Sequence, residues 1–115
     1  MEPDEFTRAI AEMSADFRRS LTAKLDRLDT LRRKVTSRTS TANDIREMYR
    51  ELHTIAGTAH AFGLPEVSKA ARVAESLLAP YYDADAKAVP QDVDRDRLDQ
   101  LIEALKQSRP GPELG

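Results

Sequence analysis

Between Phe6 and Val35, apolar residues recur every three or four positions: Phe6, Ile10, Met13, Phe17, Leu21, Leu25, Leu28, Leu31 and Val35. That spacing follows the 3.6-residue turn of an α-helix and does not fit the two-residue alternation of a strand. It predicts a first helix over about residues 4–35. Pro3 suits the first turn, where a missing N–H costs nothing. Glu2, Asp4 and Glu5 complement the positive end of the helix dipole, and Arg32, Arg33 and Lys34 the negative end. At 1.5 Å per residue this helix is ~45 Å long, more than a small domain needs, so its first turns are expected to overhang the core or to form a partner surface.

Three further segments carry the same period. Thr36 to Thr41 is a polar connection; Thr41, with Asp44 three residues later, is the expected N-cap of a second helix over about 42–62, and Gly63 takes its left-handed stop. Pro65 opens a third helix to about residue 79, with Val67, Ala70, Ala71, Ala74, Leu77 and Leu78 as its stripe and Pro80 as its end. Residues 81–92 lose the period and read as a loop. Asp92 or Asp94 caps a fourth helix over about 94–107, with Leu98, Leu101, Ile102 and Leu105 inward. Residues 108–115 have no packing pattern and read as a disordered tail. Four amphipathic helices with mostly short connections are most economically an all-α, antiparallel up-down four-helix bundle occupying residues 1–107, one domain with a long first helix.

Composition narrows the function more by exclusion than by indication. The formal net charge is −2 with both signs mixed along the helices, so neither nucleic acid nor an anionic membrane is an expected partner. No cysteine is present, which removes disulfides, zinc–thiolate sites and thiol nucleophiles. No apolar run approaches the ~18 residues of a membrane span, and the acidic N-terminus lacks the apolar core of a leader, so a cytoplasmic location is expected.

The stretch from Glu51 to Leu64, E-L-H-T-I-A-G-T-A-H-A-F-G-L, holds the chemistry. Stepping 100° per residue places Leu52, Ile55, Ala59 and Phe62 on one side and His53 on roughly the opposite one. Gly57 follows His53 by one turn on the same face. A glycine within a helix costs ~1 kcal/mol relative to alanine and so needs a reason. Side chains lean toward the helix N-terminus, so any side chain at 57 would lie against the His53 ring; glycine keeps that ring open to a large partner.

His53, Ile55, Gly57, Thr58, Ala59 and Gly63, with Leu64 after them, resemble the signature of histidine-containing phosphotransfer (Hpt) domains, H-x-[apolar]-K-G-[small]-[small] with a second glycine ten residues after the histidine. The likeness runs on through G-L-P-E-V-S-K-A-A-R-V-A-E. The chain departs from the pattern at Ala56, where the family most often carries lysine. The resemblance implies a phosphoryl carrier of two-component relays, a signalling protein rather than a turnover enzyme. His53 would be the acceptor through Nε2. Glu75, twenty-two residues on, would orient the ring through Nδ1. The expected partners are receiver domains of response regulators or a hybrid histidine kinase. The chain would need no cofactor of its own, since the receiver supplies Mg²⁺.

Arg46, Arg50 and Arg72 are candidates for the positive field that the missing lysine would provide. Tyr49, Ala56, Gly57, His60 and Ala61 are expected to surround His53 as a modestly apolar docking surface. His60 lies ~10 Å of helix rise from His53, too far for both to share a metal ion. Neither histidine follows a glutamate by three residues, and no His-Glu-x-x-His motif occurs, so a di-metal bundle and a zinc protease are both disfavoured. Two readings compete with the carrier: an incidental surface histidine, and an adaptor that keeps the docking surface without being phosphorylated. Ala56 keeps the adaptor in play. A third is a variant of the carrier, the phosphate-accepting module of a chemotaxis-type kinase. A monomer is expected, with the long first helix leaving dimerisation open.

Overall fold

Asp4 begins the first helix: its carboxylate accepts the Thr7 N–H at 2.6 Å, and that bond holds the Asp4 carboxyl below the usual carboxylate range. The structure is a computed structural model that describes residues 4–82 and 93–108. Four helices follow one another: α1 (Glu5–Val35), α2 (Ala42–Ala61), α3 (Pro65–Tyr82) and α4 (Arg95–Ser108), with no strand among the described residues. The expected antiparallel up-down bundle with a long first helix is the observed architecture.

Interhelical contacts set the register. Along α1 and α2, Phe17 stacks on Phe62 with centroids 5.7 Å apart, and ten residues later in α1 Arg27 pairs with Glu51, so these helices run in opposite directions. Across α2 and α3, Tyr49 meets Tyr82, His53 meets Glu75, and the Ser68 hydroxyl donates to the Ala56 carbonyl. Across α1 and α4, Arg32 pairs with Asp99 and Lys106 with Asp29. The core between them holds Leu21 to Val35 of α1, Ile45, Met48, Leu52, Ile55 and Ala59 of α2, Val67, Ala71, Ala74 and Leu78 of α3, and Leu98 to Leu105 of α4. Burying each large aliphatic side chain contributes roughly 1.5–3 kcal/mol, so these stripes, rather than the surface ion pairs, hold the bundle together.

The caps fall where the sequence places them. Thr41 and Asp44 form a reciprocal capping box on α2. Gly63 has φ +73°, and the bonds Leu64 N–H to Ala59 carbonyl and Gly63 N–H to His60 carbonyl complete a Schellman stop. This turn reverses the chain and delivers α3 onto α2.

One expectation is met and two need correction. The apolar period of α1 begins at Phe6, yet Phe6, Ile10 and Met13 are exposed and the core begins at Phe17. The first turns overhang the core, as expected: α2 ends at Ala61, level with Phe17, and among the described residues no other helix covers the earlier turns. Pro80 does not end α3, which runs to Tyr82. The proline removes only the donor to the Ser76 carbonyl, and Ser76 is exposed, so water can satisfy that carbonyl. The stack of Tyr82 on Tyr49 and the packing of Tyr81 on the core hold the extra turn. Ser108, read as the start of the tail, belongs to α4, its hydroxyl donating to the Leu105 carbonyl. Of the expected loop, residues 83–92 lie outside the described residues, as does the tail from 109 onward.

Candidate functional site

His53 lies on the outward face of α2, its side chain 70% exposed, because Leu52, Ile55 and Ala59 take the opposite face into the core. Its Nδ1 sits 2.8 Å from Oε1 of Glu75 on α3. A carboxylate anion can only accept, so in such a pair Nδ1 is the donor, and in the neutral ring the lone pair then lies on Nε2. Glu75 is much less accessible, at 15% exposure. One partner is thus sunk in the seam between helices while the other stands out from it.

Tyr49, one turn before His53, lies nearly parallel to the imidazole, 8° apart with centroids separated by 6.3 Å. It also stacks on Tyr82 at 4.2 Å. Partial burial, and then interaction of the hydroxyl with the Glu75 carboxylate, hold the Tyr49 phenol above the usual tyrosine range. It therefore stays a neutral donor. Sequence reasoning assigned Tyr49 only to a docking surface and missed Tyr82, which had been placed in a loop. The signal was the spacing Ala71, Ala74, Leu78, Tyr82, a stripe that continues through the proline.

The other nominated residues divide. Gly57 is exposed, and a methyl group added there would meet nothing within 4 Å, the His53 ring included. Arg50, Arg72, His60 and Ala61 are exposed and Arg46 is half-buried. Ala56 is a correction: it is 1% exposed and takes no part in a docking surface. Three residues beyond His53, it is turned 60° toward the core side, where α3 closes over it; its carbonyl accepts the buried Ser68 hydroxyl at 2.8 Å. Ser68 was not foreseen as a seam residue. The His60 ring has no hydrogen bond, ion pair or ring contact among the described residues, so of the two histidines His53 alone is oriented.

Nothing at the site resembles a metal centre: among the described residues no three His, Cys, Asp or Glu side chains cluster as a ligand set. A surface groove of about 560 Å³ lies instead between α1 and α4, lined by Asp29, Arg32, Asp99 and Lys106, whose charges already pair with one another. What the site offers is an exposed, oriented imidazole on a convex helical surface, suited to an approaching protein surface rather than to an enclosed small molecule.

A family model described as Hpt domain matches residues 12–108, most of the chain. The chain belongs to the Hpt domain family. Comparison with curated proteins and with solved structures finds no match. As an Hpt domain it falls among the histidine phosphotransfer modules of two-component phosphorelays, and its helical bundle is the architecture of that family. No helix among the described residues is long and apolar enough to cross a membrane. The family match begins at Glu12, so it leaves out the first seven residues of α1, including the exposed Phe6 and Ile10.

Proposed function

We propose that this Hpt domain carries a phosphoryl group on Nε2 of His53, passing it between receiver-domain aspartates or taking it from a histidine kinase. The observation that carries the reading is the 2.8 Å contact between His53 Nδ1 and Glu75 Oε1. In the uptake step the Nε2 lone pair forms the P–N bond while the P–O bond to the donor aspartate breaks, and that electron pair leaves with the aspartate carboxylate. The ring becomes an imidazolium whose Nδ1–H remains on Glu75, so the carboxylate stabilises the charge as it develops. Water and partner can reach the ring because the His53 side chain is 70% exposed. The chain needs no cofactor of its own in this scheme; Mg²⁺ and the remaining transition-state charge stabilisation come with the receiver. A cytoplasmic location, where such receivers are found, follows from the same reading.

Ala56 supports a second reading, an adaptor that binds a receiver without accepting phosphate. Incubation with a phosphorylated receiver and Mg²⁺ separates the two. The carrier gains an acid-labile, alkali-stable label that mass spectrometry places on His53. Binding without label on either histidine, across several receivers, would establish the adaptor instead.

A further inference from the structure

We propose that Tyr49, packed against Tyr82, is a positioning residue for phosphoryl uptake: its ring lies alongside the His53 imidazole and restrains the orientation that turns Nδ1 toward Glu75. The proposal rests on His53 being the acceptor, and it adds a restraint that neither the motif nor the His–Glu contact supplies.

The need for such a restraint follows from exposure. His53 is 70% exposed, and a ring in water samples several rotamers and competes for its hydrogen bonds with solvent. Only orientations that turn Nδ1 toward α3 leave Nε2 pointing outward. Because helical side chains lean toward the N-terminus, the His53 ring inclines toward Tyr49, and the two planes are 8° apart. An offset parallel arrangement of this kind is favourable between aromatic rings. Tyr49 is itself held by Tyr82, 4.2 Å away on the turn that α3 adds beyond Pro80. Tyr49 thus contacts both His53 on its own helix and Tyr82 across the α2–α3 seam.

Glu75 has a matching requirement. At 15% exposure its carboxylate has lost most of its water, and the single proton on His53 Nδ1 leaves it undersupplied with donors. The Tyr49 phenol, on which the Glu75 carboxylate acts, is a donor available near it. Since the phenol is held above its ordinary range, it keeps its proton throughout the physiological range and remains a donor while the ring turns cationic. During uptake Nε2 gains the P–N bond, the leaving group departs with the electron pair, and positive charge spreads to Nδ1–H. Tyr49 touches neither phosphorus nor Nε2 and acts by keeping the His53 ring turned toward the acceptor of that proton.

The test uses the full chain, potassium phosphoramidate as a small donor, and ¹⁵N NMR of the two histidine rings. In this donor the P–N bond breaks and ammonia leaves, so no receiver is needed. In the wild type the neutral His53 ring is expected mainly as the Nδ1–H tautomer, and the ring of His60 as the Nε2–H tautomer of free histidine. Tyr49→Leu should shift His53 toward the His60 pattern and slow labelling about tenfold. Tyr49→Phe, which keeps the stack and loses the hydroxyl, should slow it about threefold. Tyr82→Leu should fall between these two. Circular dichroism checks folding, and should Tyr49→Leu not fold, the other two variants carry the test. An unchanged His53 tautomer in folded variants would overturn the proposal, as would slow labelling with no change of tautomer. A wild type that takes no phosphate on His53 would instead overturn the acceptor reading, while the tautomer data would still decide whether Tyr49 orients the ring.

Discussion

His53 and Glu75 stand on neighbouring antiparallel helices with Nδ1 and Oε1 2.8 Å apart, the histidine open to solvent and the glutamate almost withdrawn from it. The asymmetry matters. A withdrawn acceptor keeps a stronger hydrogen bond than an exposed one, because water competes less for it. An exposed ring can still meet a partner.

Removing that acceptor should therefore slow chemistry without disturbing the bundle. A hydrogen bond to a charged group is worth about 1.5–3 kcal/mol, and each 1.4 kcal/mol in a barrier is tenfold in rate, so Glu75→Ala should slow phosphoryl uptake at least about tenfold. Glu75→Gln retains an acceptor oxygen and should lose less. Single-turnover labelling of both variants measures this, and equal rates in wild type and Glu75→Ala would remove Glu75 from the mechanism.

His53→Gln should abolish the label while shifting stability by no more than about 0.5 kcal/mol, since an exposed position pays little for substitution. Denaturant unfolding and mass spectrometry report the two quantities. Label persisting in this variant would move the acceptor to His60.

At Gly57 size and stability should part company. Gly57→Ala places a methyl in open space and should stabilise the helix by up to about 1 kcal/mol, with transfer little changed. Gly57→Leu should also fold well yet block transfer from a receiver. A Leu variant that transfers normally would show that access does not depend on this glycine.

The overhang makes a contrast within one helix. Leu28 is fully buried, and Leu28→Ala should cost about 2–5 kcal/mol through lost transfer energy and the cavity left behind. Met13 is exposed beyond the core, and Met13→Ala should change stability by about 0.5 kcal/mol or less. Chemical denaturation of the two variants distinguishes this arrangement from one in which the whole apolar stripe of α1 is covered.

Stability should fall as pH rises above 10. Lys106 is held above the usual lysine range by its bond to Asp29, and Tyr49 above the usual tyrosine range by burial and by Glu75. In both cases the folded protein binds more protons than the unfolded chain across that window, so the slope of unfolding free energy with pH is negative. The Lys106 contribution is fully present below the unfolded pKa and is lost as pH climbs through the raised folded one. Both groups are partly exposed, so the effect should be small and the Lys106 part weaker at high salt. Ultraviolet titration of the three tyrosines should show Tyr49 ionising late.

Much of this molecule was readable in advance. The three-and-four spacing gave the helices, Thr41 with Asp44 gave a cap, Gly63 gave a stop, and His53 could be placed opposite Leu52 and Ile55. These are properties within one helix, fixed by 3.6 residues per turn and by the hydrogen bonds of its ends. The pairing of His53 with Glu75 was expected only through likeness to a family, because twenty-two residues of sequence separation say nothing about distance.

The misjudged positions share a cause. Ala56 was read as surface because it lies near His53 on the wheel, but the approach of α3 and the Ser68 hydroxyl place it inside the seam. Pro80 was read as a stop, yet Tyr49 gives the turn beyond it a packing partner. The overhang of Phe6, Ile10 and Met13, by contrast, follows from the length of α1 alone. Periodicity along a chain determined which face of each helix is apolar and where each helix is capped; the sequence by itself carried that much. How far one helix slides and turns against the next depends on side chains meeting across the seam, and only the tertiary structure decided it.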